Sequence, residues 1–322
     1  MLVGMNGCSS SATAVMDRGT AGAPAGTGFT IKTVQNQGRN RKYALFIPHG
    51  YTPGQKWPAI VFLHGVGEGG TGAQHNLTVG LAPIVAQKAA QFQFIVIFPQ
   101  SATGHWDENS DAAADAIAAL DEVEHDYAVD RDRVFLTGLS TGGYGTWAIG
   151  AKYKEHFAGL VPMCAFSDFK DVDKLADVPV WCFHNAGDPF VLAAGDHAMC
   201  DQINARGGHA KYTEYVALGH DVWTRAYQKD ELYQWMLETR RTTAEPGGQN
   251  AAMQASADDN KGILDATLIA APAPAGNVPA PHVNPPAYRS AESPLVPEAR
   301  PVATPAASGA GHKSDAYVPM VW

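Results

Sequence analysis

The chain has 322 residues, a formal net charge of −9, 45% hydrophobic and only 17% charged residues. That length allows one large domain or two small ones, with apolar residues enough for a sizeable core. The acidic balance argues against a general electrostatic grip on nucleic acid or an anionic membrane. No apolar run reaches the roughly eighteen residues of a bilayer span. Four cysteines, Cys8, Cys164, Cys182 and Cys200, show no C-x-x-C pair and no zinc spacing, which argues against a disulfide scaffold or a structural metal site.

Residues 1–27 are mostly Gly, Ser, Ala and Thr and read as a flexible lead-in. Within them "MNGCSSS" resembles a lipoprotein cleavage site with Cys8 as the lipidated residue. Only seven residues precede it, with no basic start and no apolar stretch, so the balance favours chance or a truncated start over a working signal. The compartment stays open between secreted or periplasmic and cytoplasmic.

Residues 28–241 alternate strand-like and helix-like segments. Strands are expected at 29–34 and 43–48, then at "AIVFLH" (59–64), a continuous apolar run of the kind a buried parallel strand shows. A helix over 81–91 is followed by the strand "FQFIVIFP" (92–99). The apolar spacing of Ile117, Leu120 and Val123 predicts a helix over 111–127. Then come a strand at 133–138, a helix at 141–153, strands at 159–166, 178–185 and 210–216, and helices at 192–206 and 223–240. Strands alternating with helices predict a mostly parallel central sheet with helices on both faces. From 242 to 322 the chain turns Ala/Pro-rich and holds 12 of the 21 prolines. Proline removes backbone donors, so this stretch reads as a disordered tail or spacer, with a short helix possible at "KGILDATLIA".

The sharpest feature is Gly138-Leu139-Ser140-Thr141-Gly142, directly after a predicted strand and directly before a predicted helix. In that context G-x-S-x-G is a nucleophile elbow. The turn is so tight that the serine's neighbours must lack bulk, and the helix behind it offers free backbone N–H groups. A serine hydroxyl needs a base at neutral pH. His220, on the loop after the last strand, fits the serine–acid–histidine chain order. Its rivals are His156, His184, His197 and His209. His184, at a strand end, is expected to pack near the site. The acid is expected just past the strand before it, where "VWCFHNAGDPF" delivers Asp188. Asp196 and Asp221 are its rivals. The oxyanion needs two donors: the N–H of Thr141 and, from the glycine-rich loop 64–70, the N–H of Val66.

The blocks "YALFIPHGYTPGQKWPAIVFLHGVGEGG", "FPQSATGHW", "DRVFLTGLSTGGYGTW", "HNAGDPFV" and "YTEYVALGHDVWTRAY" together resemble the α/β-hydrolase superfamily. More narrowly they are similar to the esterase group of polyhydroxybutyrate depolymerase-like, feruloyl-esterase-like and "predicted peptidase" proteins. The resemblance implies an α/β-hydrolase fold over about 40–240, with Ser140 as nucleophile, Asp188 as acid and His220 as base. It suggests Trp106 and Trp223 as walls of an acyl or aryl site. Phe190 and Tyr144 could add aromatic surface. Two positions depart from the group: His184-Asn185 stands where His-Gly is usual, and Thr141 stands where Met is common. Serine at the elbow, rather than cysteine or aspartate, favours acyl transfer through a serine ester. Cys164 and Cys182 read as small buried hydrophobes.

The stretch "AFSDFKDVDKLADVP" is too short for a lid domain, so an open site is expected. It suits an accessible ester: aryl or feruloyl, short acyl, a polysaccharide side group or a polyester. No metal or organic cofactor is required, and the oligomeric state is left open. A histidine base must be neutral, so activity is expected to fall below about pH 6. A serine peptidase on the same scaffold and a non-catalytic binding protein remain the rival readings.

Overall fold

The computed structural model describes residues 26–241 other than 168. The lead-in with Cys8, most of the segment 1–27, and the proline-rich stretch 242–322 with its expected helix lie outside the described residues.

Eight strands form one sheet in the order β1-β2-β4-β3-β5-β6-β7-β8. They are β1 (Gly28–Asn36), β2 (Arg39–Ile47), β3 (Trp57–Leu63), β4 (Ile95–Pro99), β5 (Val129–Leu139), β6 (Gly159–Met163), β7 (Val180–Gly187) and β8 (Ala210–Leu218). β1 and β2 pair antiparallel, and β2 joins β4 antiparallel. From β4 through β3, β5, β6 and β7 to β8 every pairing is parallel. All seven residues of β3 are buried, which explains its unbroken apolar run: helices cover both sides of it.

Seven α-helices are described: α1 (Leu81–Gln87), α2 (Asp111–Asp126), α3 (Thr141–Lys152), α4 (Val172–Leu175), α5 (Ala193–Ala205), α6 (Trp223–Gln228) and α7 (Asp230–Glu238). One core layer gathers Leu120 and Val123 of α2, Trp147 of α3 and Met199 and Ile203 of α5 against one sheet face. The other gathers Leu81 and Val85 of α1, Tyr227 of α6 and Leu232 and Met236 of α7 against the opposite face. The expected two-sided packing is present.

The differences are local. The helix expected over 223–240 is two, because Lys229 is extended (φ −72°, ψ 120°). The Tyr233 hydroxyl donates to the Tyr227 carbonyl at 2.6 Å, satisfying a group that the break frees. β5 begins four residues earlier than expected, at Val129, where it pairs with Trp57. Between β6 and β7 the chain forms only a short 3₁₀ turn and the four-residue α4, so no lid domain is inserted there.

Candidate active site

Ser140 sits between β5 and α3 with φ 53° and ψ −120°, a left-handed backbone that is strained for a residue with a side chain. Two glycines make that turn possible. A Cβ at Gly142 would lie 2.0 Å from the Leu63 carbonyl oxygen, and one at Gly138 would lie 2.3 Å from the Gly142 carbonyl oxygen. The Ser140 N–H donates to Met163 O at 3.1 Å, and Ser140 O accepts from Tyr144 N at 3.0 Å, so both sides of the elbow are tied down.

Asp188 lies in the turn after β7, its side chain almost fully buried. His220 Nδ1 and Asp188 Oδ2 are 2.6 Å apart. The other carboxylate oxygen accepts the N–H groups of Phe190 at 2.8 Å and Val191 at 3.1 Å. Burial alone would raise the Asp188 pKa, but the hydrogen bond from His220 and the two backbone donors outweigh it and hold it below 3.8. An ionised Asp188 therefore fixes the proton of His220 on Nδ1 and leaves Nε2 as the free base.

That Nε2 faces Cys164 Sγ at 4.0 Å. Cys164 is the first residue past β6, buried, with φ 45°. The Ser140 backbone N–H also faces the same sulfur. Ser140 and His220 thus flank one atom, while the Ser140 hydroxyl makes no hydrogen bond within 3.5 Å among the described residues. Such bonds are commonly long in a free site and tighten when substrate binds. The reading of Cys164 as a small buried hydrophobe needs amending: it is buried, but it lies against the imidazole. Cys164, Asp188 and His220 bring one sulfur, one oxygen and one nitrogen within 4.8 Å of one another.

The N–H groups of Thr141 and Val66 are taken by no protein acceptor among the described residues, as two oxyanion donors require. The Val66 loop is built to stay in place. Gly65 N–H donates to Glu68 Oε2 at 3.0 Å. His64, buried beneath it, has Nδ1 2.7 Å from Gly65 O, while Nε2 accepts from Ser101 N at 3.0 Å. The Thr141 hydroxyl donates to Gly104 O at 2.6 Å, and Gly104 packs so closely on Val66 that a Cβ there would lie 2.6 Å from Val66 Cα.

The expected aromatic residues divide. Phe190, 76% exposed, and Trp223 pack edge-on to the His220 ring at 5.6 and 5.5 Å. Tyr144, 37% exposed, packs on Phe166 beside Thr141 in an open groove of about 460 Å³. Trp106 corrects the expectation of a free wall. It borders this groove but is only 3% exposed, its indole N–H donates to His64 O at 2.8 Å, and its Cβ packs over Gly145. An indole wedged beneath the loop braces it instead of meeting a ligand broadly.

His184 packs near the site as expected; the sequence did not show two further supports, Asn185 and the Asp196 partner of His184. Asn185, noted only as a departure from glycine, donates its amide to the carbonyls of Gly219 at 2.9 Å and Asp221 at 3.2 Å, on either side of His220. His184 and Asp196 form a buried pair behind Asp188, 2.6 Å apart. Of the rival acids, Asp196 belongs to that pair, and Asp221 instead caps the turn at Thr224. A polar residue where the family pattern has glycine was the one available signal for Asn185.

The comparisons agree with this architecture. A model of the prolyl oligopeptidase family matches residues 98–181, which include Ser140 but neither Asp188 nor His220. Feruloyl esterase C of Emericella nidulans is 31% identical over 190 residues, covering 56% of this chain and 66% of that protein. Poly(3-hydroxyalkanoate) depolymerase C of Paucimonas lemoignei is 29% identical over 133 residues, covering 37% of this chain and 30% of that protein. The chain therefore spans less than two thirds of either curated relative. The crystal structure of a thermostable esterase superposes with a TM-score of 0.58 at 27% identity, covering 66% of this chain and 63% of that one. The chain has the α/β-hydrolase fold and resembles its esterase group.

Proposed function

We propose that this protein is a serine carboxylic-ester hydrolase in which Ser140, Asp188 and His220 are the triad and the N–H groups of Val66 and Thr141 the oxyanion donors. The observation that best supports the reading is that four strand ends of one sheet carry the parts it needs. The strained serine follows β5, the buried carboxylate follows β7, the imidazole 2.6 Å from it follows β8, and a loop with a free N–H follows β3.

The chemistry follows from that geometry. Nε2 of His220 takes the Ser140 proton as the oxygen attacks the ester carbonyl. The developing oxyanion meets two N–H groups held before it forms, so little reorganisation is needed; losing one such donor would raise the barrier by about 3 kcal/mol. The imidazolium beside Asp188 then protonates the departing alcohol. Water, activated by the same nitrogen, releases the acid and restores Ser140.

The substrate class follows from what surrounds the site. Each exposed large hydrophobic among the described residues lies at the carboxyl ends of the strands or in the loops and helix starts just beyond: Val66, Tyr144, Phe166, Phe169, Phe190, Leu192, Val216 and Leu218. With no lid inserted between β6 and β7, that rim is open to solvent. It suits an ester with an apolar or aromatic acyl part on a bulky carrier: feruloyl, short acyl or polyester. Similarity to a feruloyl esterase and to a polyhydroxyalkanoate depolymerase supports the same class.

The test is paired. p-Nitrophenyl acetate, methyl ferulate and the p-nitroanilide matching the acetate are assayed with the wild type and Ser140→Ala. The reading expects turnover of esters far above the anilide and none in the variant. Turnover surviving Ser140→Ala, or an anilide rate equal to the ester rate, overturns it.

A further inference from the structure

Behind the candidate triad acid lies a second imidazole–carboxylate pair that the mechanism above does not use. His184, on β7, and Asp196, on α5, are both wholly buried. Each nitrogen of His184 faces an oxygen. Nδ1 is 2.6 Å from Asp196 Oδ2, and Nε2 is 3.0 Å from Val191 O and 3.3 Å from Asp188 Oδ2. A carbonyl oxygen can only accept, so Nε2 carries a proton.

Asp196 is surrounded by donors. Its Oδ1 accepts from the Trp147 indole at 3.2 Å and its Oδ2 from Ala165 N at 3.0 Å. Burial raises the Asp196 pKa, opposed by the His184 hydrogen bond and charge and by the Ala165 N–H; with these donors around it, a carboxylate would leave Nδ1 to donate as well. With both nitrogens donating, His184 would be an imidazolium. Burial opposes that charge, yet the hydrogen bond and negative charge of Asp196 raise the His184 pKa above its ordinary value.

We propose that His184 and Asp196 form a buried imidazolium–carboxylate pair that positions Asp188 and keeps a fixed positive charge behind it. His184 is thus a positioning residue for the triad, an inference that rests on the triad reading above. Two physical effects follow. His184 holds the carbonyl of Val191, whose N–H holds Asp188 Oδ1, so the acid's turn is closed at both ends. A positive charge on the far side of Asp188 also disfavours a second one on the near side.

Other groups around the pair do not supply this charge. Burial first raises the thiols of Cys164 and Cys182 and the phenols of Tyr144 and Tyr212, followed for Cys182 by its hydrogen bond with Cys200, so all four stay neutral. Cys200 on α5 completes the buried set. Glu214, the register partner of His184 on β8, accepts from the Tyr212 hydroxyl at 2.8 Å. Asp221, beside His220, is engaged by Thr224.

The variant His184→Gln keeps an amide donor near the position of Nε2 but loses the charge. His184→Gln/Asp196→Asn also removes the buried carboxylate. His184→Gln is expected to move the acid limb of the pH–kcat profile upward by about one pH unit, and the double variant, which loses both charges, by less. At the optimum, kcat is expected to fall about tenfold with KM little changed. A merely structural role predicts a lower thermal midpoint with the acid limb unmoved, and that result overturns the proposal. A second measurement needs neither variant nor turnover. Side-chain ¹⁵N–¹H NMR of the wild type at pH 7 is expected to show His184 protonated on both nitrogens, whereas a neutral tautomer overturns the proposal. Fluorophosphonate labelling in parallel keeps the outcomes separate: an unlabelled protein with a doubly protonated His184 fails the esterase reading and not the pair itself.

Discussion

Acidification should weaken the fold through His64, which is buried beneath the Val66 loop. Its Nδ1 donates to Gly65 O at 2.7 Å, and its Nε2 accepts the Ser101 N–H at 3.0 Å. The Gln100 amide nitrogen lies 3.1 Å from the same Nε2. A proton added at Nε2 would point at donors, in a buried place where water cannot help. Burial, only partly opposed by the Gly65 carbonyl, lowers the His64 pKa from 6.5 to about 4. In the unfolded chain the ring takes its proton near 6.5, so between about pH 6.5 and 4 the unfolded state binds more protons than the folded one. Stability must therefore fall as pH drops through that window, by about 1.4 kcal/mol per unit and about 3 kcal/mol in all. Burial also raises the Glu68 pKa above its ordinary value, so the wild type must be compared with His64→Asn. Asparagine can keep the bond to Gly65 and cannot titrate. Urea unfolding at half-unit steps from pH 7 to 4 should show the wild type's advantage over the variant shrinking by about 3 kcal/mol. Parallel curves would refute the reasoning.

Other substitutions probe the elbow and its supports. Ser140→Gly and Ser140→Ala should both lack ester turnover, but glycine relieves the φ of 53°, so its unfolding free energy should exceed that of alanine by about 1 kcal/mol. Equal midpoints would mean the strain is not there. Asp188→Asn should lower kcat about 10⁴-fold, because the amide stabilises the wrong tautomer of the base. A small loss would remove Asp188 from the triad. The depressed pKa of Asp188 contributes stability that is full above pH 3.8 and is lost only as pH falls through its lower folded value, so wild type and Asp188→Asn should converge in stability below pH 3.8 and not between 5 and 7. Asn185→Gly frees the carbonyls on either side of His220; kcat should fall about tenfold with the thermal midpoint little changed, and an unaltered kcat would show that the clamp does not matter.

What could be read before the structure was whatever local chemistry dictates. The apolar run of β3 announces a strand covered on both faces, and the glycines at 138 and 142 announce a turn where a side chain cannot fit. Chain order singled out Asp188 and His220, since strands of a parallel sheet deliver their loops to one edge. What was not legible depends on contacts between distant segments. Nothing near Trp106 says that its indole will be taken by the His64 carbonyl, which moves it from a ligand wall to a brace. Cys164 looked like a core residue because it follows an apolar strand, and only the fold sets its sulfur against an imidazole 56 residues away. The pairing of His184 with Asp196 needs a helix packed on a strand, and the break at Lys229 depends on a tyrosine reaching back to a carbonyl. None of these has a periodic signature.

The central claim is that one hydroxyl in this chain is activated, and covalent labelling addresses it without assuming a substrate. The native protein is treated with a fluorophosphonate, digested, and the adduct located by mass spectrometry. A single phosphonylated site is expected at Ser140, absent in Ser140→Ala and strongly slowed in His220→Ala. An unlabelled protein, or an adduct on any other residue, would contradict it.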